Sequence, residues 1–457
     1  MTPGNEAHLA LFTDLYELTM AESYLQQGMN QPATFSLFTR RLPVNRGYLV
    51  SAGLEDILRY LEALRFSEEE IEFLHGTGLF SEDLLSYLEQ FHFTGEVWAI
   101  PEGRLYFPDE PVVEVTAPII ESQLVETFIL NQVNLQSLIA TKAARCLSAG
   151  QGRTLVDFAL RRTQGTDAGM KAARCSYLAG FASTSNVLAG KRYGIPLAGT
   201  MAHSFVSSFE HEIDAFRAYA SSFPDNAVFL IDTYDTLSGA HKAAVVAKEM
   251  EGQGHRLRAV RLDSGDLIAL SRQVRLILDQ AGLDYVEVFA SGSLDEYSVE
   301  TVLDAGAPID GFGIGTKMGV SADAPWLDNA YKLVKYNDRP ILKLSAEKVT
   351  LADEKQVYRL RDKNGMFAED VIARREERLT PEAEPLLIRV MEGGRIIQPP
   401  PSLKEIRQRF QEEFSRLPAL YKALREPPSY PVRLSHGLLR LQEEAKRYAE
   451  QEEVRLP

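Results

Sequence analysis

Between residues 153 and 320 the chain repeats one pattern: a short apolar run, a polar turn and, in most cases, a stretch of helical periodicity. The runs are Thr154 to Leu160, Ile195 to Met201, Val228 to Ile231, Leu257 to Leu262, Val286 to Ala290 and Ile309 to Ile314. Short segments that are apolar throughout fit strands of a parallel sheet covered on both faces, where inside-outside alternation is lost. Helical patterns follow at Ala168 to Gly180, Glu210 to Ala220, Ser238 to Glu251, Leu267 to Ala281 and Leu294 to Ala305. Strands alternating with helices predict an α/β fold with a parallel sheet, either doubly wound or closed into a barrel. Regular succession without an obvious reversal favours the barrel.

The flanks read differently. Residues 1–150 mix amphipathic helices (Asp14 to Gln27, Leu54 to Leu64, Glu121 to Ala149) with β-like stretches at Thr34 to Thr39 and Gly95 to Thr116. Residues 331–457 hold hairpin-like runs up to about 395, then charged helices at Ser402 to Leu424 and Leu434 to Glu452. The expected organisation is an N-terminal α+β region (1–150), a βα barrel carrying the site (151–330) and a C-terminal region (331–457) packing with the first. The α+β domain is then built from both chain ends.

A chain of 457 residues exceeds what one hydrophobic core sustains, which agrees with more than one domain. Its formal charge of -15 repels polyanions and speaks against nucleic acid as a partner. The two cysteines, Cys146 and Cys175, have neither disulfide-framework nor metal-ligand spacing, so a reducing cytoplasm is expected. Met1 to Leu11 has no secretory pattern and no run of about 18 apolar residues occurs, so no membrane association is expected.

In parallel α/β folds the loops after the strands' C-terminal ends form the site. Those ends carry Arg161 and Arg162; Thr200 and His203; Asp232; Arg261, Asp263 and Ser264; Ser291 and Gly292; Gly313, Gly315 and Thr316. Arginine contacts carboxylate or phosphate bidentately, and glycine lets the backbone approach anionic oxygens. Hydroxyls and carboxylates bind ribose hydroxyls or a metal-bridged diphosphate.

Each residue also has a plainer reading. A single His beside a strand is usually structural, and Asp235 reads as the cap of the helix beginning near Ser238. Asp232 directly follows an apolar run, where a carboxylate could accept the Nδ1 proton of a catalytic His and fix its tautomer. Arg261 and Asp263 could be a solvated ion pair, with Asp263 or Ser264 capping the next helix. The glycine-rich segment from Gly311 to Lys317 matches neither the P-loop nor the dinucleotide fingerprint. Near the N-terminus, Asp14 and Glu17 have capping-box-like spacing, and Tyr16 reads as a core aromatic or as a ring that stacks on a planar substrate.

Taken in order, Thr13-Asp14-Leu15-Tyr16-Glu17-Leu18-Thr19-Met20, Phe158-Ala159-Leu160-Arg161-Arg162, Gly199-Thr200-Met201-Ala202-His203-Ser204-Phe205, Leu230-Ile231-Asp232-Thr233-Tyr234-Asp235-Thr236, Arg261-Leu262-Asp263-Ser264-Gly265-Asp266 and Gly313-Ile314-Gly315-Thr316 resemble the motifs of the nicotinate phosphoribosyltransferase family over nearly the whole chain. The resemblance implies a type II phosphoribosyltransferase fold, an irregular α/β barrel with an α+β domain, working as a homodimer with shared active sites. It also implies joining of nicotinate to 5-phosphoribosyl 1-diphosphate with coupled ATP hydrolysis, giving nicotinate mononucleotide, ADP, phosphate and diphosphate. Substrate-bound Mg2+ is implied, and no metal site of the protein's own.

By the same resemblance His203 is the residue phosphorylated by ATP, with Asp232 behind it. Tyr16, Phe158, Arg161, Thr200 and Arg261 hold nicotinate, Tyr16 reaching in from the partner subunit and Arg261 facing the carboxylate. Asp263, Ser291, Gly292, Gly313, Gly315 and Thr316 cradle the ribose and phosphates, and Arg40 resembles a phosphate-contacting residue. The family often carries Pro-Gly between the positions of Thr350 and Lys355, where this chain reads Leu351-Ala352-Asp353-Glu354.

Three alternatives stand beside this reading, one within the same enzyme class and two outside it. A nicotinamide phosphoribosyltransferase would share the fold, but relatives using the neutral amide place an Asp near the position of Asn186, where Ser183 to Asn186 contains no acid. A barrel sugar-phosphate aldolase or isomerase would need a Schiff-base lysine or a carboxylate pair at a strand end, and none stands out. A non-catalytic nucleotide-binding protein on the same barrel is disfavoured by the intact His203, Asp232 and Arg261.

Overall fold

The computed structural model describes residues 9–343 and 350–454. The chain forms two compact units, Ile139–Pro325 and, from both chain ends, Met1–Leu138 with Trp326–Pro457.

The central unit holds six strands: β1 (Thr154–Asp157), β2 (Ser183–Thr184), β3 (Val228–Leu230), β4 (Ala259–Leu262), β5 (Glu287–Ser291) and β6 (Gly311–Ile314). Their spatial order is β2-β1-β6-β5-β4-β3, and every neighbouring pair is parallel. Read from β3, that order is the chain order continued from β6 back to β1. The sheet is therefore a barrel with one seam, between β2 and β3, and the irregular α/β barrel is the fold observed.

The seam lies where the sequence suggested another strand, Ile195 to Met201. That run makes only one isolated parallel bridge, Leu197 to Thr184, and Leu197 is exposed. Pro196 has no backbone N–H to give a ladder, and Gly194 and Gly199 flank the run. Ser183–Thr184, too short to announce itself by periodicity, takes the strand position instead. Amphipathic helices cover the barrel, as Leu267–Gln280 illustrates by burying Ser271, Val274 and Leu278 at spacings of three and four.

The terminal unit contains a seven-stranded sheet in the order Arg339–Pro340, Asn329–Tyr336, Pro32–Thr39, Pro111–Pro118, Glu96–Ala99, Ile388–Glu392, Arg395–Ile396, antiparallel throughout. Three strands from the N-terminal side form its centre and two from the C-terminal side flank them at each edge, so an α+β domain built from both ends is what forms. A second sheet joins Glu384–Pro385, Lys355–Arg361, Phe367–Arg374 and Val432–Leu434. Between Thr350 and Lys355, Asp353 adopts φ +69°, the left-handed conformation that Asp tolerates better than most residues, and its N–H donates to the Val334 carbonyl at 2.8 Å. No described helix is long and apolar enough to cross a membrane.

A fully buried cation organises this unit. The Arg359 guanidinium meets Asp370 at 2.6 Å and Glu413 at 2.7 Å, donates to the Leu105 carbonyl at 2.9 Å, and lies 4.4 Å from the centre of the Phe367 ring. Beside it Glu110 is buried, and burial together with the Asp370 charge pushes its carboxyl well above the ordinary range.

Near the N-terminus the expected capping box is absent. Asp14 takes the N-cap conformation of helix Leu15–Gln26 without a side-chain cap, and its carboxylate accepts from the Thr127 hydroxyl at 2.8 Å. Glu17 turns inward to accept from Thr13 and from the Thr127 hydroxyl and amide. Burial raises its carboxyl from 4.5 to about 7, against the hydroxyls of Thr13 and Thr127 and with help from Glu126 and Asp14. A carboxyl raised on folding binds its proton more tightly in the folded state, so stability is full below about pH 4.5 and is lost as pH rises through about 7. Glu17→Gln, which mimics the protonated form, is expected to stabilise the fold at pH 8 by at most about 3 kcal/mol and by much less at pH 5. Denaturant titrations at the two pH values check this, and equal shifts at both would contradict it.

Candidate active site

At the C-terminal ends of the central strands lies a cavity of about 640 Å³. Phe158, Arg161, Thr200, His203, Arg261, Asp263, Ser291, Gly292, Gly313, Gly315 and Thr316 all line it. Asp232 lies behind them. Tyr16 and Arg40 belong to the terminal unit, where Tyr16 is half-exposed and Arg40 pairs with Asp328 at 3.3 Å. Arg162, Ser185, Met201, Ser293 and Lys317 join the lining without having been assigned a role from the motifs.

The first wall is set by Asp157, the buried last residue of β1. One of its oxygens accepts from the Ala159 N–H at 2.8 Å and the other from the Thr184 hydroxyl at 2.7 Å, tying the ends of β1 and β2 together. Burial raises its carboxyl above the ordinary range. The turn so fixed presents Phe158, whose N–H donates to the Ile314 carbonyl at 2.9 Å, and leads into the short helix carrying Arg161.

Opposite, Arg261 reaches from β4. Its Nη2 donates to the Met201 carbonyl at 2.7 Å, its Nη1 lies 3.8 Å from Asp263, and its buried Nε has no hydrogen-bond partner among the described residues. Burial lowers its pKa, opposed by the charges of Asp263 and Asp232. A largely buried guanidinium with an unused donor is prepared for an anionic or carbonyl partner.

Asp263 and Ser264 do not cap the following helix. Asp266 does, accepting from the amides of Ile268 and Ala269 at 3.0 and 3.1 Å. Asp263 is thereby free to face the cavity, where it accepts from the Ser291 hydroxyl. Asp235 caps its helix as expected, through the Ser238 amide at 2.7 Å.

Glycine is required at two points of the cradle. Gly292 sits at φ +92°, and a Cβ there would stand 1.9 Å from the Asp263 carbonyl oxygen. On Gly313 a Cβ would meet the Phe158 ring at 2.4 Å. Lys317, following Thr316 at the cavity edge, pairs with Asp295 at 2.7 Å.

The partner of His203 differs from the one expected. Its Nδ1 lies 3.2 Å from the Thr233 hydroxyl, and its Nε2 lies 3.9 Å from Asp263. Asp232 turns away: one oxygen accepts from the Asp263 amide at 2.9 Å and the Ser264 hydroxyl at 2.7 Å, while the other is buried without a partner among the described residues. The aspartate thus organises the neighbouring loop, because two donors from β4's end compete for it. The signal for Thr233 was its place in the same motif, one residue after Asp232.

Asn186 is buried as the cap of helix Val187–Tyr193, accepting from the Ala189 amide at 3.1 Å, and its own amide donates to the Gly169 carbonyl at 3.2 Å. For magnesium carried by a diphosphate, one or two protein carboxylates suffice. Asp232, with its unpartnered oxygen, and Asp263 fit that need. Among the described residues no group of three or more His, Cys, Asp or Glu side chains could form a metal cage of its own.

Comparison with known proteins agrees along the chain. Residues 11–134 match the model of the nicotinate phosphoribosyltransferase N-terminal domain, 154–359 that of the nicotinate phosphoribosyltransferase family and 379–442 that of its C-terminal domain. A nicotinate phosphoribosyltransferase of Mycobacterium tuberculosis is 49% identical over 94% of this chain and 92% of its own length. That of Bacillus subtilis is 39% identical over 93% of each. The crystal structure of human nicotinic acid phosphoribosyltransferase matches with a TM-score of 0.85 at 32% identity, covering 95% of this chain and 99% of that one. With all three domain models in register and a parallel barrel whose strand ends carry the matching motifs, the chain belongs to the nicotinate phosphoribosyltransferase family of enzymes.

Proposed function

We propose that this enzyme joins nicotinate to 5-phosphoribosyl 1-diphosphate, giving nicotinate mononucleotide and diphosphate, and that ATP hydrolysis is coupled to the transfer through phosphorylation of His203. The reaction would be the first step of NAD salvage from nicotinate. The observation that carries this reading is the buried Arg261 with an unused Nε, set beside a glycine-cleared cradle in one cavity.

Arg261 holds the nicotinate carboxylate, its position fixed by the Met201 carbonyl. Phe158 offers the pyridine ring an apolar face, with Thr200 and Arg161 completing the pocket. Ser291 and Asp263 orient the ribose hydroxyls, while Gly292, Gly313 and Gly315 let the backbone approach the phosphates and Thr316 holds the 5-phosphate. The transfer passes through a cationic ribosyl centre, so alignment of the ring nitrogen against C1 supplies most of the rate. Bound with the diphosphate near Asp232 and Asp263, Mg2+ would offset the charge of the leaving group. Tyr16 and Arg40 enter through a homodimer with shared active sites, Tyr16 stacking from the partner copy and Arg40 contacting phosphate. Two buried free cysteines suit a reducing cytoplasm.

Purified protein with nicotinate, 5-phosphoribosyl 1-diphosphate and Mg2+ is expected to form nicotinate mononucleotide, faster with ATP. His203→Ala is expected to lose the ATP stimulation and the phosphoprotein while keeping some transfer. Chromatographic product assay checks both. Product from nicotinamide but none from nicotinate would overturn the base assignment, and unchanged ATP stimulation in His203→Ala would overturn the phosphohistidine.

A further inference from the structure

We infer that Thr233 is the positioning residue that turns His203 into a phosphate acceptor, by accepting a hydrogen bond from Nδ1–H and so leaving the Nε2 lone pair facing the cavity. The inference rests on the phosphohistidine reading above and names the device by which this chain prepares the ring.

Three observations carry it. The Thr233 hydroxyl lies 3.2 Å from Nδ1 and makes no other hydrogen bond to a described residue. Among the described residues neither neighbouring carboxylate makes a hydrogen bond to Nδ1: one Asp232 oxygen serves the Asp263 amide and the Ser264 hydroxyl, and Asp263 takes the Ser291 hydroxyl. The imidazole is otherwise loosely held, being half-exposed on a helix of only five residues, His203–Ser207, with its Nε2 beyond hydrogen-bond reach of Asp263 at 3.9 Å. One contact therefore decides where the ring points, and in the inferred arrangement the hydroxyl accepts, so that the proton sits on Nδ1.

The chemistry follows from that placement. The Nε2 lone pair forms a bond to the γ-phosphorus of ATP as the bond to the β,γ-bridging oxygen breaks, its electron pair leaving with ADP. The Nδ1 proton stays on the ring, shared with Thr233, and the product is a phosphoimidazolium. A carboxylate at Nδ1 would neutralise that cation and make the phosphohistidine longer-lived. A hydroxyl orients the ring without compensating its charge, which suits an intermediate that must discharge in every cycle.

The test measures phosphohistidine formation from γ-labelled ATP by the intact enzyme. Thr233→Val, which keeps the shape and removes the hydroxyl, is expected to slow phosphorylation roughly tenfold, the range seen when an orienting partner of a functional His is lost. The KM for ATP should change less than twofold, and Thr233→Ser should restore the rate. In the wild-type enzyme, nitrogen NMR of the labelled ring should show His203 as the Nδ1–H form, with the Nε2–H form growing in Thr233→Val. A wild-type phosphorylation rate in Thr233→Val, or equal impairment in Val and Ser, would overturn the inference and leave the phosphohistidine standing. Label retained in His203→Ala would overturn both.

Discussion

Arg261→Ala is expected to lower kcat/KM for nicotinate by roughly 10²- to 10³-fold, while any turnover of nicotinamide changes far less. The guanidinium is largely buried, anchored at Nη2 by the Met201 carbonyl at 2.7 Å, and its buried Nε has no partner among the described residues. In the proposed binding mode its removal strips the substrate carboxylate of a charge-assisted, desolvated contact, a loss of about 3 to 4 kcal/mol, and each 1.36 kcal/mol is tenfold in rate. Lysine should not restore activity, because an ammonium cannot hold the Met201 carbonyl and a carboxylate in one plane. Steady-state kinetics on both bases decide the matter: equal losses for nicotinate and nicotinamide would mean that Arg261 shapes the barrel and does not read the carboxylate.

The second large effect concerns stability. Arg359→Met is expected to destabilise the fold by about 3 to 5 kcal/mol, measured by denaturant unfolding at neutral pH. The wild-type guanidinium is fully buried and compensates both Asp370 and Glu413. Methionine fills much of the volume but leaves two carboxylates facing each other out of water, beside a Glu110 already pushed toward its neutral form. The triple change Arg359→Met, Asp370→Asn, Glu413→Gln should recover part of the loss, since removing all charges costs less than removing one partner. A loss under about 1 kcal/mol in the single variant would show that water reaches the cluster.

Much of the central unit was legible because its signals are local. Five of the six apolar runs became strands, and the strand-end rule picked out most of the residues that line the cavity. Where the reading failed, the deciding contact joined segments far apart in the chain. Whether Ile195 to Met201 forms a strand depends on Pro196 and on the company available at the seam. Whether Asp232 or Thr233 meets His203 depends on donors arriving from Asp263 and Ser264, some thirty residues on. Asp266, the true helix cap, was passed over for two candidates earlier in the chain.

By itself, the sequence determined the alternation of strand and helix, the order of the motifs and, through their resemblance, the family. Periodicity and motif spacing are properties of contiguous residues and survive without a fold. Only the tertiary structure decided how the barrel closes, β6 returning to β1, and which neighbour serves each ionisable group around the cavity. Hydrogen bonds are limited in number and contested by every donor within reach, so their assignment exists only once the loops have met.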